Sequence, residues 1–288
     1  MVLHWNGRRW SPVPRPDGKS SLGDVLAISR HDVWFAGQGA GGYGHVLIEH
    51  WNGKRISVVR NHLGTSTITQ LAGVQDDSVW LLSDAGDQSR LAHWNGSTWS
   101  EVQPPNFGGD PVEGISAGSR KDLWAVGGYV GGPGDVAHWN GARWHYVNDP
   151  VFARLGSAMS AVLDLGQRDI WTAGNNHVAH FNGKKWSVTP GPAPNPRNWA
   201  LFPAIRGVRS GLLYAAGSTR RARGLILRWT GNRWIDAHAP VPNKRSSDFD
   251  SLGVSASGEV WAAGETFQRL SDSFARARTL IDHYVPCR

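Results

Sequence analysis

His93-Trp94-Asn95-Gly96-Ser97-Thr98-Trp99 is repeated, whole or varied, along the entire chain. His4 to Trp10 and His138 to Trp144 keep the same pattern. Three variants follow it closely: His50-Trp51-Asn52-Gly53 ending in Ile56, His180-Phe181-Asn182-Gly183 ending in Trp186, and Arg228-Trp229-Thr230-Gly231 ending in Trp234. A shortened copy, His283-Tyr284, lies near the end. Successive starts differ by 46, 43, 45, 42, 48 and 55 residues, a period that belongs to propeller blades or solenoid turns.

A second motif, Asp-Val-Trp-x-Ala-Gly, falls between these copies. It starts at Asp32, Ser78, Asp122, Asp169, Leu212 and Glu259, and its aromatic residues are Trp34, Trp80, Trp124, Trp171, Tyr214 and Trp261. A short apolar segment such as Val25-Leu26-Ala27-Ile28 precedes each, then a polar turn. Short runs of Val, Ile and Trp between Gly, Asn and Asp read as strands, and no sustained 3.6-residue period marks a helix. The unit is therefore four strands: A (the Val25 type), B (Asp-Val-Trp), C (ending in His-Trp) and D (opening at the second Trp). Asn-Gly between C and D predicts a two-residue type I′ turn. That turn would set Trp139 and Trp144 diagonally on one face and His138 opposite Arg143 on the other. Fifteen of the sixteen Trp hold repeat positions and are expected to pack blade on blade; Trp199 alone stands outside.

A lone four-stranded sheet cannot bury both faces, whereas a ring of them can. The expected fold is all-β, a six-bladed β-propeller of four-stranded antiparallel blades forming one domain over residues 1–288, closed by pairing of the N- and C-terminal segments. The surplus C-type segment at Met1 to Trp5 leaves seven blades with missing N-terminal sequence as the alternative. The order of these strands resembles tectonin-type propellers and bacterial Trp-Asn-Gly-x-x-Trp propeller proteins over essentially the whole chain. That resemblance implies binding of a glycan or other ligand.

Composition narrows the field further. The 288 residues carry 30 Lys and Arg against 23 Asp and Glu, a net charge of +7. One Cys, Cys287, excludes an intrachain disulfide and a cysteine-rich zinc site. No apolar run is long enough to span a membrane, and the start shows no export signal, so a cytoplasmic protein is expected.

In a propeller the D-to-A and B-to-C connections share one rim. Here they vary, while the opposite turns repeat, and variable loops on a rigid scaffold are where function concentrates. In the connections, Trp199 with Arg197 and Asn198 forms a candidate stacking and hydrogen-bonding group. Tyr43 and Tyr129 stand in Gly-rich B–C loops, and Arg221 and Arg245 belong to a late basic cluster suited to an anion. Ten and eleven residues before the strand-B aromatic stand Asp24, Gln70, Glu113, Ser160, Asp250 and Ser251, expected near the channel mouth. Such groups solvate a channel or serve sugar recognition, a divalent cation or acid–base work. Asp24, Glu113 and Asp250, with His62 or His177 as base, are the catalytic candidates.

The six repeat histidines are expected to be structural, and no metal ligand set is expected. Neither a serine-nucleophile elbow nor a nucleic-acid module is present. The leading expectation is a monomeric, cofactor-free, lectin-like propeller that recognises a glycan or a small polar or anionic ligand on the variable-loop rim. A lyase, hydrolase or cyclase with one site over the channel is the alternative, so enzyme activity stays open. A protein-interaction scaffold is the third reading.

Overall fold

The computed structural model describes residues 1–40, 44–75, 77–129, 132–189, 200–209, 211–219, 221, 223–237, 246–255, 257–269 and 275–284. A hairpin comes first, β1 (Val2–Trp5) with β2 (Trp10–Val13). The first blade is β3 (Ser21–Ser29), β4 (Asp32–Gln38), β5 (Val46–Trp51) and β6 (Ile56–Val58). The second is β7 (Thr67–Gln75), β8 (Ser78–Ala85), β9 (Gln88–Trp94) and β10 (Trp99–Val102). The third is β11 (Val112–Ser119), β12 (Asp122–Gly127), β13 (Asp135–Trp139) and β14 (Trp144–Tyr146). The fourth is β15 (Met159–Asp164), β16 (Ile170–Gly174), β17 (Val178–Phe181) and β18 (Trp186–Val188). The fifth is β19 (Ala200–Arg209), β20 (Leu212–Thr219), β21 (Gly224–Trp229) and β22 (Trp234–Asp236). The sixth has three strands among the described residues, β23 (Ser246–Val254), β24 (Val260–Arg269) and β25 (Ala275–Tyr284). The chain is thus the all-β, six-bladed propeller that its repeat predicts. Its contacts gather into two compact units, Met1–Leu123 with Trp139–Arg143, and Trp124–His138 with Trp144–Arg288.

In the first unit Trp34 lies across the ladder from His50 and stacks on it at 4.4 Å, and Trp80 does the same with His93 at 4.2 Å. In the second, Trp124–His138, Trp171–His180 and Trp261–His283 repeat the stack at 4.5, 4.0 and 3.9 Å. Three of these imidazoles are seen held where the indole needs them. His50 Nε2 meets Asp32 Oδ1 at 2.7 Å, His180 meets Asp169 at 2.8 Å, and Ser78 Oγ is 3.0 Å from His93. The first residue of the strand-B motif is therefore the anchor of the strand-C histidine. The fifth blade places Tyr214 opposite Arg228 instead.

Several strand-B aromatics also reach the following blade. Trp34 packs on Trp94 and Trp99 at 5.6 and 6.0 Å, and Trp171 on Trp229 and Trp234 at 5.1 and 5.9 Å. The cores follow the same logic. One joins Trp34 and Ile48 to Leu71 and Leu81, another joins Trp171 and Val178 to Phe202 and Leu227, and a third joins Tyr214 and Ile226 to Phe249 and Val260. Burying a Trp this way is worth several kcal/mol, since Trp→Ala in a core costs about 3–5 kcal/mol.

The C–D turn departs from the sequence expectation. Trp94 and Trp99 face each other directly, as do Trp5 and Trp10, and the histidines stand opposite serines: His50 opposite Ser57, His93 opposite Ser100, His180 opposite Ser187. The turn is not type I′, because positive φ falls on the glycine alone, +94° at Gly96. Asn95 is the residue before the turn centre, and its Oδ1 accepts from the amides of Ser97 and Thr98, both at 3.0 Å. An asparagine that supplies the acceptor from its side chain belongs at the first turn position, not a central one.

The glycine ending the strand-B motif has a different cause. Strand A is bulged at a common place, between Leu22 and Asp24 in the first blade, Met159 and Ala161 in the fourth, Leu201 and Ala204 in the fifth, and Phe249 and Ser251 in the sixth. The bulge swings the strand-A backbone over the glycine, so a Cβ on Gly37, Gly174, Gly217 or Gly264 would run into the carbonyl oxygen of Ser21, Ala158, Leu201 or Asp248.

One short helix, α1 (Pro150–Leu155), interrupts the D–A connection after the third blade. The repeat did not foretell it. Its start carries a capping Asp149, whose Oδ1 accepts from the Val151 amide at 2.9 Å, and a proline in its first turn. Phe152 then seats edge-on against Trp186 at 5.1 Å.

Gly217→Ala is expected to cost about 1–3 kcal/mol or more in urea unfolding, because backbone has to give way. Gly253→Ala, with nothing within 4 Å of the added Cβ, should stay within about 0.5 kcal/mol of the parent.

Candidate functional site

In the first unit the B–C and D–A connections do converge on one side. There, a cleft of about 380 Å³ opens between Gln38 at the end of β4, Ser66 and Thr67 at the entry to β7, and Asp84 and Gly86 at the end of β8. Its side chains are held from behind. Gln38 Nε2 donates to the Ser66 carbonyl at 3.1 Å. Asp84 accepts from Thr69 Oγ1 at 2.9 Å and from Ser89 Oγ at 3.1 Å, and Ser89 Oγ in turn accepts from the Val112 amide at 3.0 Å. Ser66 is only 5% exposed, and its Oγ meets no partner within the protein. A wall of hydroxyl, carboxamide and carboxylate on strand ends suits recognition of a hydroxyl-rich ligand.

Glu113, on β11, feels the same charge. Burial first, and then the Asp84 carboxylate, push its carboxyl above the ordinary value. Its neighbour Val112 closes the Ser89 end of the network, and Glu113 is not among the residues lining the cleft. A second cleft of about 360 Å³ contains His62 with His45 and Asn61. Asn61 fixes this loop, donating to the Val46 carbonyl at 3.1 Å and accepting from the Leu63 amide at 3.2 Å.

Asp24 is employed in the fold. Its Oδ2 accepts from the Leu71 amide of the next innermost strand at 2.7 Å, and Gln70, its counterpart one blade on, accepts from the Ile115 amide at 2.9 Å. These two side chains latch one blade to the next. In the second unit Asp250 lies at the strand-A bulge, and burial, then Asp248 and Glu265, raise its pKa. His177 is depressed by burial. Its neighbour Asn176, at φ +64°, donates its amide to the Ala200 carbonyl at 2.7 Å and accepts from the Ala200 amide at 2.6 Å, fixing the start of β19. Tyr129 is 55% exposed with its ring over Gly132, and Arg221 is exposed in its turn. Tyr43, Arg197, Asn198, Trp199 and Arg245 lie outside the described residues. Among the described residues no group of three or more His, Cys, Asp or Glu is arranged to hold a metal ion.

Gln38, Ser66 and Asp84 escaped the sequence reading. For Gln38 and Asp84 the signal was the residue just past the strand-B motif, which reads Gln38, Asp84, Asn175, Ser218 and Glu265 in five of the six copies. A buried ion pair also went unread. Arg15 Nε donates to Glu49 Oε2 at 2.7 Å, with the two side chains 3% and 0% exposed, and its Nη2 donates to Ser20 Oγ at 2.8 Å. Neither residue belongs to the repeat pattern.

No protein-family model and no curated protein sequence matches the chain. Its fold does match solved structures. YCF48 from Cyanidioschyzon merolae aligns over 93% of this chain and 88% of its own at TM-score 0.59 and 13% identity. The SapL1 lectin, in complex with alpha-methyl fucoside, aligns over 90% and 94% at TM-score 0.55 and 13% identity. A GH74 xyloglucanase from Xanthomonas campestris aligns over 92% of this chain but 44% of its own, at TM-score 0.59 and 15% identity. At these identities the likeness is one of fold.

Asp24→Ala should lower stability by about 1–3 kcal/mol by leaving a part-buried amide unpaired, whereas Asp24→Asn keeps an acceptor and most of the stability; urea unfolding separates them. For Glu113 the sign is set by its upward shift from 4.5. The folded chain keeps a proton that the unfolded chain has released, so stability falls as pH rises through that window and stays lowered above it. Glu113→Gln is therefore expected to melt higher than the parent at neutral pH, with the gain vanishing below pH 4.5.

Proposed function

We propose that the chain is a lectin-like binding protein that holds a glycan in the cleft walled by Gln38, Ser66, Thr67 and Asp84. The observation that carries this reading is the cleft itself: polar side chains, anchored by hydrogen bonds to neighbouring strands, set around a cavity on the variable-connection side. Carboxylate, amide and hydroxyl groups are the acceptors and donors that sugar hydroxyls need, and rigid anchoring lowers the cost of ordering them on binding. The likeness of fold to a fucoside-bound lectin supports the same reading. An anionic ligand suits this place less, since no cation lines it among the described residues.

A hydrolase is the second reading, favoured by one observation. Glu113 is shifted toward the protonated form next to an anchored Asp84, the environment in which one carboxyl acts as acid and another as base.

The test is a glycan array followed by calorimetry on the parent, Thr67→Trp and Trp199→Ala. Loss of binding by about tenfold or more in Thr67→Trp alone, with its melting temperature unchanged, is the expected result. Loss in Trp199→Ala alone would move the site to the 190–199 connection. Release of a reducing end from a bound glycan, abolished by Glu113→Gln, would establish the hydrolase.

A further inference from the structure

The cleft is electrostatically lopsided. Its lining has one carboxylate, Asp84, and no Lys, Arg or His among the described residues. Asp84 receives hydroxyl donors from Thr69 and Ser89, which hold its two oxygens in place but bring no positive charge. Arg90, on β9, lines a separate cleft with Glu101. In a chain with net charge +7, this is a local reversal of sign.

Resting on the reading of this cleft as a glycan site, we propose that it is specific for a sugar bearing a free amine, with the ammonium group on Asp84 and the ring hydroxyls on Gln38 and Thr67. A primary ammonium offers three donors and one positive charge to a wall made of acceptors, and a charge-assisted hydrogen bond to a fixed carboxylate is about twice as strong as a neutral one. An N-acetylated sugar loses that charge and leaves Asp84 facing an amide. A divalent cation fits less well. Calcium takes about six to eight oxygens, several of them anionic, and only one carboxylate reaches the lining.

The experiment is calorimetry at mildly acidic pH with four probes: a glucosamine tetramer, its fully N-acetylated counterpart, putrescine, and calcium chloride. The expected result is that the glucosamine tetramer binds at least about tenfold more tightly than the acetylated one, and that Asp84→Asn abolishes the preference. Because Asp84 also braces the fold, Asp84→Glu is the second variant: it keeps the carboxylate and should retain a preference for the glucosamine tetramer that Asp84→Asn loses. Equal or tighter binding of the acetylated tetramer would overturn the amine subsite and leave the glycan reading standing. Binding of neither tetramer, with putrescine bound in an Asp84-dependent way, would keep the amine and overturn the sugar. No binding of either tetramer or of putrescine overturns both parts, and Asp84-dependent calcium binding that displaces the amine overturns the ammonium in favour of a metal.

Discussion

The strand-B indole is gripped on one side by the imidazole of its own blade and on the other by the aromatic pair of the next. A four-stranded sheet has two apolar faces and too little mass to cover either, so the fold depends on joining sheets face to face. Trp34 and Trp171 do this with rings at 4 to 6 Å on both sides. The geometry then propagates outward. The Asp that opens strand B exists to hold the histidine, the histidine exists to present a flat face to the indole, and the Asn-Gly turn exists to bring two Trp side chains opposite each other.

Much of this could be read before any coordinates, because a repeat exposes its own constraints. The period gave the blades, and the Trp positions gave their packing. The turn between Trp94 and Trp99 misled because Asn-Gly serves two different hairpins, told apart by whether the asparagine backbone or its side chain makes the bond. The glycine of strand B was visible but not its reason, since the carbonyl that excludes a side chain comes from a strand about sixteen residues earlier, as with Gly37 and Ser21.

The side of the fold on which the candidate cleft lies was legible, and the residues that line it were not. Placing function on the B–C and D–A side agrees with where the cleft lies. Yet the search favoured rare residues such as Trp199 and the histidines, whereas the walls are built from Gln38, Ser66 and Asp84, ordinary polar residues that no single position distinguishes. Asp24 shows the converse. A carboxylate on an innermost strand suggests chemistry, and the amide of Leu71 gives it a mechanical job.

That latch has a direction. Asp24 reaches Leu71 and Gln70 reaches Ile115, in each case from one repeat forward to the one after it. The acceptor is carried by a side chain, while the donor is main chain and therefore independent of what the next unit spells. A copied or deleted unit brings its own clasp and fastens to whichever neighbour follows, so length can change by whole repeats without inventing a new junction. The connections above are then free to drift apart one by one, which is how a regular scaffold comes to carry irregular clefts.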